Sequence, residues 1–208
     1  MRARDIMTSP VITVRAGTTV QDAAALLAGR GFTALPVVDA DDQLIGIVTE
    51  ADLIRDRFPR DARSLIHTGP PAEVVAVAET VGEVMTAPAT SVGPGTDIAV
   101  LSAEMLQAGQ RAMPIVDGSR LVGIVTRRDL VRVVGRDDKA IAQAVRHKLE
   151  MYGGTNRWDV HVHRGVVTIH DQLDDAADRH VATVLAESVP GVARAQTISA
   201  WKGMETMN

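Results

Sequence analysis

Two threonine and aspartate pairs carry the most specific chemistry in this chain: Thr49 with Asp52, and Thr126 with Asp129. In each, the apolar run Gly-Ile-Val-Thr (46–49 and 123–126) ends on a hydroxyl, and a carboxylate follows three residues later. If a strand stops and a helix starts at the threonine, the aspartate lies one turn into that helix on the same side. A carboxylate accepts two hydrogen bonds, which suits the vicinal diol of a ribose, and the amides of a helix N-terminus can donate to phosphate. The same spacing also makes a variant capping box, which holds the helix start with no ligand at all. The two roles are compatible, and the spacing alone leaves both open.

The pairs differ in their surroundings. Arg127, Arg128 and Arg111 accompany the second, where the aligned positions near the first are Glu50, Ala51 and Thr33. Guanidinium groups pair with phosphate and a glutamate repels it, so the second site is expected to prefer a phosphorylated nucleotide, and the first to be emptier or to prefer a less charged adenosyl ligand. His161, His163 and His170 alternate along adjoining strands; surface histidines are the expectation there, and no metal site. The chain has no cysteine, no phosphate-loop lysine motif, no nucleophile elbow and no metalloprotease histidine pattern, so catalysis is not expected.

The elements that position these pairs are repeated. Met7-Thr8-Ser9-Pro10 returns 78 residues later as Met85-Thr86-Ala87-Pro88, and Gly46-Ile47-Val48-Thr49 returns after 77 as Gly123-Ile124-Val125-Thr126. The single deletion falls after Asp39 and Asp117, in a turn. Each repeat predicts β-α-β-β-α: an opening strand (12–14; 90–92), a helix capped by Thr18 or Thr96 (20–28; 98–108), two apolar strands (35–38 and 44–48; 113–116 and 121–125), and a second helix from about Asp52 or Asp129. Residues 1–56 and 81–135 form the two repeats, and 57–80, with Pro59, Gly69, Pro70 and Pro71, reads as a linker.

From about Asp137 to Lys202 a different unit of α-β-β-α-β order is expected. Its helix from Asp138 to Met151 places Ile141, Val145 and Leu149 at helical spacing, and a hairpin turns at Arg164-Gly165. A second helix, Asp174 to Ser188, should face inward with Ala177, Val181, Val184 and Leu185 before a last strand from Val192 to Ala200, and Trp158 and Trp201 should bracket the core.

Composition bounds the function. With 208 residues, 46% hydrophobic and only 2% aromatic, the core must be aliphatic, which argues against aromatic-lined sugar or single-stranded nucleic-acid sites. A net charge of −4 gives no global field for a polyanion, so no nucleic acid is expected. Neither an apolar run of signal-peptide length after Met1-Arg2-Ala3-Arg4-Asp5 nor a stretch of ~20 apolar residues is found, and a cytoplasmic protein is expected.

On the paired motifs Asp5-Ile6-Met7-Thr8-Ser9-Pro10 and Glu83-Val84-Met85-Thr86-Ala87-Pro88, with Gly46 to Asp52 and Gly123 to Asp129, residues 1–135 resemble the CBS (cystathionine-β-synthase) domain pair, or Bateman module. The resemblance implies a mixed α/β fold with the repeats packed as a pseudo-symmetric pair, and no obligatory cofactor. It implies a regulatory adenosyl ligand, either AMP, ADP, ATP or S-adenosylmethionine, held by Thr49, Asp52, Thr126 and Asp129. The base would lie near Ile12, Thr13, Ala34, Leu35, Pro36, Thr90, Ser91, Ala112, Met113 and Pro114, with Arg111, Arg127 and Arg128 toward phosphate. It further implies a homodimer through helices, for which Ala23 to Leu27 and Leu101 to Met105 are the candidate faces. The second unit resembles a BON domain on Gly165-Val166-Val167-Thr168-Ile169 and Pro190-Gly191-Val192, although such domains often carry a glycine where this chain has Asp171. That resemblance implies a protein partner or, as the minority reading, phospholipid attachment. A scaffold that merely dimerises, without ligand, is the alternative for the whole chain.

Overall fold

The computed structural model describes residues 1–55, 57–58, 77–173 and 175–199. Two compact units emerge: Met7–Pro94 with Ala103–Thr126, and Met1–Ile6 with Gly95–Ser102 and Arg127–Asn208.

In the first unit, helix α1 (Val20–Arg30) starts at Thr19, whose hydroxyl accepts the Asp22 amide at 3.0 Å, and ends on Gly31 at φ 64°. Glycine takes that left-handed conformation without a β-carbon penalty. The expected cap, Thr18, instead accepts the Arg15 amide one turn earlier. In the second repeat Asp97 rather than Thr96 accepts a helix amide, from Ala99, at the start of α4 (Ile98–Gln107). Strands β1 (Ala34–Val38) and β2 (Leu44–Thr49) form one antiparallel hairpin, β3 (Ala112–Asp117) and β4 (Arg120–Thr126) another. Their registers correspond: Ala34 opposes Thr49 as Ala112 opposes Thr126, and both carry an irregularity at the same place, Val37/Val38 and Ile115/Val116.

The opening strands of the repeats shrink to single parallel bridges, Val14 with Val37 and Val92 with Ile115. Val14 donates to the Pro36 carbonyl and accepts from Val38, and Val92 does the same with Pro114 and Val116. The next rung toward Ile12 or Thr90 would need an N–H from Pro36 or Pro114, which proline lacks.

Each repeat also lends its first residues to the other's hairpin. Thr8 exchanges two backbone hydrogen bonds with Ile124 (2.9 and 3.1 Å), and Thr86 exchanges two with Ile47 (2.9 and 3.0 Å). Ala34, Ala112 and Ile124 are buried together there, with Val11 and Ile47 packed against them. The core of the first repeat gathers Val20, Ala23 and Leu27 of α1 with Leu35, Val37 and Val48 of the strands. Ala23 and Leu27, like Leu101 and Met105 on α4, are therefore buried in the chain, and the exposed residues left on the candidate dimer faces are Ala24 and Ala25 in one and Ala103 and Glu104 in the other. Of the linker, the Arg57 guanidinium donates to the Ala78 carbonyl, and a short helix α3 (Val81–Val84) follows; residues 59–76 lie outside the described residues.

The second unit holds helix α5 (Arg127–Val134) and then the elements α6 (Asp138–Gly153), β5 (Trp158–His163), β6 (Val166–Asp171), α7 (Ala176–Glu187) and β7 (Arg194–Ser199). Asp137 caps α6 by accepting the Ala140 amide at 2.8 Å, and Ile141, Val145 and Leu149 recur every four residues on its buried side. Sheet order is β5-β6-β7, with β5 and β6 an antiparallel hairpin and β6 and β7 parallel. Arg164 (φ 52°) and Gly165 (φ 75°) make a two-residue turn whose amides both donate to the Asp138 carboxylate, at 2.8 and 2.9 Å. Those amides hold the Asp138 carboxyl below the usual carboxylate range.

Helix α7 turns inward a side shifted from the expected one, with Val181 and Leu185 half-buried at its edge. Ala182 and Ala186 are fully buried, and Ala177 and Val184 face outward. Trp158 is buried in this core, which Val160, Val167, Ile169 and Val189 share, while Trp201 lies outside the described residues.

Candidate functional site

Thr49 is the last residue of β2 and the cap of α2 (Glu50–Ile54). Its hydroxyl accepts the Asp52 amide at 3.4 Å, while Asp52 Oδ2 takes the Thr49 amide at 2.9 Å and the Thr49 hydroxyl at 2.7 Å. The capping box is thus formed in full, and the helix begins at Glu50, two residues before the sequence suggests. Asp52 is only 7% exposed; its other oxygen, Oδ1, faces the exposed Arg55 guanidinium at 3.4 Å. Burial of a carboxylate is costly, and the hydroxyl, amide and guanidinium offset that cost. Thr49→Ala is expected to lower stability by about 1 kcal/mol, with serine restoring it, as read from the denaturant midpoint.

In the second repeat Thr126 ends β4 and Asp129 lies in the first turn of α5. Asp129 is again 7% exposed, and again a guanidinium three residues on, Arg132, reaches its Oδ1, at 3.2 Å. Arg127 is half-buried and Arg128 exposed beside it. Arg111, expected near phosphate, is instead 3.3 Å from Glu50, so the cation of one repeat is paired with the anion of the other. The two side chains are well exposed, and such a pair contributes little to stability.

The residues expected around a base divide in two. Ala34 and Ala112 stand opposite Thr49 and Thr126 in the strand register, with Pro36 and Pro114 two residues further along. These alanines and prolines are buried, Ala34 at 8% and Ala112 at 5%; Leu35 and Met113, buried at 1% and 0%, alternate to the other face, which leaves their backbone as the part that could meet a ligand. Ile12, Thr13 and Ser91 are half-buried and Thr90 is exposed. A cavity of about 390 Å³ is lined by Pro10, Thr13, Val38, Asp42, Arg120 and Val122 among others; of the expected residues only Thr13 reaches it. It opens at the turn ends of the hairpins, away from Thr49 and Thr126.

Sequence reasoning passed over Arg55 and Arg132, although they recur at the same step as the aspartates. It also passed over a cluster in the second unit, where Arg157 binds Asp171 at 2.9 and 3.2 Å and Asp178 at 2.6 Å, stacked 4.3 Å over the Trp158 ring. Among the histidines, His161 lies 3.0 Å from Asp159 and edge-on to His170, and no three metal-ligating side chains converge among the described residues. No helix among the described residues is long and apolar enough to cross a membrane.

Comparison with known proteins bears on the repeats. A protein of Methanocaldococcus jannaschii, MJ1225, is 26% identical over 134 residues, which is 64% of this chain but 43% of that protein, so the chain spans less than half of it. Among solved structures, the CBS-pair protein CBSX2 of Arabidopsis thaliana, in a complex with AMP, superposes with a TM-score of 0.52 at 30% identity, covering 63% of this chain and 93% of CBSX2. The CBS domain pair of protein MJ0100, in complex with 5′-methylthioadenosine and S-adenosylmethionine, gives 0.51 at 26% identity, covering 65% and 96%. The family model of the CBS domain matches residues 3–57 and 81–136, more than half of the chain. With the repeated hairpins, the exchanged bridges and the two buried aspartates, these matches make the chain a member of the CBS domain family.

Proposed function

We propose that this chain is a non-enzymatic regulator that binds an adenosine-containing ligand at Asp52, Asp129 or both, and passes the bound state to its C-terminal unit. The observation that carries this reading is the burial of two carboxylates at the same position of two repeats, each beside a strand end. The capping box explains why an acceptor stands there, but a neutral amide side chain at that third helical position would serve without the cost of burying a charge. A ribose diol supplies two donors to such a carboxylate, and the similar structures CBSX2 and MJ0100 hold AMP and S-adenosylmethionine or methylthioadenosine. The conformational response requires that the ligand bind one arrangement more tightly than the other.

Thr49 and Thr126 orient the aspartates, while Ile12, Thr13, Ala34 and Pro36, with Thr90, Ser91, Ala112 and Pro114, surround the base. Arg127 and Arg128 favour phosphate at the second site, and Arg111 would first have to leave Glu50. The C-terminal unit, residues 137–202, acts as a BON-like interaction domain, with a protein as its partner and the full chain a cytoplasmic homodimer.

Titration calorimetry with adenosine, AMP, ATP and S-adenosylmethionine tests the reading. Saturable binding that Asp52→Ala or Asp129→Ala removes is expected, with ATP more sensitive to the second substitution. No heat from any of the four would leave a ligand-free scaffold.

A further inference from the structure

Both motif aspartates already have a cation on them. In the first repeat Thr49 fills Asp52 Oδ2 with two donors, at 2.9 and 2.7 Å, so Oδ1 is the oxygen left for a ligand hydroxyl. Arg55 reaches that same oxygen, at 3.4 Å. In the second repeat Arg132 reaches Asp129 Oδ1 at 3.2 Å. The two arginines hold the same place, three residues after the aspartate, although the flanking residues differ. Their side chains are 69% and 72% exposed against 8% and 9% for the carboxylates they touch. Each guanidinium therefore has room to swing away, whereas the carboxylate has none.

We propose that Arg55 and Arg132 are intramolecular competitors of the ligand, occupying the carboxylate oxygen that a ribose diol must take and setting how tightly a nucleoside binds. This inference rests on the adenosyl-ligand reading above. Without ligand the guanidinium keeps the buried acid neutralised; on binding, two ligand hydroxyls replace it and the arginine turns to solvent. Because the pair is exposed on the arginine side, the competition is modest, a factor of up to about five in affinity. It is also electrostatic, so salt weakens the arginine's hold while the hydrogen bonds of an uncharged nucleoside are little screened.

The test uses adenosine, which has no phosphate for an arginine to attract. The full chain and its Arg55→Gln/Arg132→Gln variant are titrated at low and at high ionic strength, with circular dichroism to show that both are folded. The variant is expected to bind adenosine more tightly at low salt, up to about fivefold, and the difference should close as salt rises because the wild type improves. Equal or weaker binding by the folded variant at low salt overturns the competition and leaves the adenosyl reading standing. Absence of adenosine binding by wild type and variant alike overturns both.

Discussion

Asparagine at position 171 is expected to destabilise the C-terminal unit by about 3–5 kcal/mol, the cost of breaking a buried ion pair from one side. Asp171 is fully buried and Arg157 is 10% exposed, so neither charge can turn to water when the other is removed. The carboxylate also accepts the amides of Leu173 and Asp175, at 3.1 and 3.2 Å, and thereby shapes the turn that leads into α7. Asp178 remains as a partner for Arg157 through Oδ2, at 2.6 Å, while Tyr152 holds Oδ1, so the lower end of that range, about 3 kcal/mol, is expected. Replacing the pair together, Arg157→Met with Asp171→Leu, should recover only part of the loss, because the desolvation of both ions is avoided while the Leu173 and Asp175 amides lose their acceptor. Thermal unfolding of the two variants separates the cost of an orphaned charge from that of lost packing.

The same group sets a pH dependence. Burial pushes the Asp171 carboxyl up, but the hydrogen bonds from Arg157 and from the Leu173 and Asp175 amides outweigh it, and its pKa lies below the usual carboxylate value. A carboxylate with a lowered folded pKa stabilises the fold above its unfolded value, about 4, and loses that contribution as pH falls through the lowered one. Acid unfolding of the C-terminal unit should therefore be shifted to higher pH in Asp171→Asn, which starts without this contribution.

Alanine at Gly46 is expected to cost about 1–3 kcal/mol by overpacking. A β-carbon there would stand 2.7 Å from Met85 Sδ and 3.0 Å from the Thr86 carbonyl oxygen. The methionine can move, but Thr86 is tied to Ile47 through both its amide and its carbonyl, so relief would break the exchanged bridge. Gly123 faces the side chain of Met7 in the corresponding place. Gly29, inside α1 with open space where its β-carbon would lie, is the control: alanine there should stabilise by about 0.5–1 kcal/mol. Denaturant midpoints of the two variants, moving in opposite directions, would check the account.

Gly46 and Gly123 also show what could be read from the sequence and what could not. Their recurrence within Gly-Ile-Val-Thr exposed the repeat, and with it both hairpins and both aspartates. That each glycine makes room for a methionine from the other repeat has no local signal, because the partner lies some forty residues away in one case and more than a hundred in the other. The helices start at Val20 and Ile98 as the spacing predicts, but the caps differ for a local reason: Thr18-Thr19 and Thr96-Asp97 each offer two candidates, and side-chain geometry selects the second. The opening strands failed on Pro36 and Pro114, whose missing N–H is visible in the sequence once the register is known. Asp171 stood out as a departure from a glycine, yet its role depends on the hairpin register that sets Trp158 opposite it and brings Arg157 alongside.

The most direct test of the central claim is the thermal midpoint of the full chain with and without AMP, for the wild type and for Asp52→Asn/Asp129→Asn. Asparagine keeps a carbonyl oxygen to accept the threonine amide of the capping box and removes the charge, so the variant separates ligand binding from helix capping. At ~100 times its dissociation constant a ligand adds about 2.7 kcal/mol, and the wild-type midpoint should rise clearly while the variant's stays where it was. An equal rise in both would contradict the claim that the two aspartates hold the ligand.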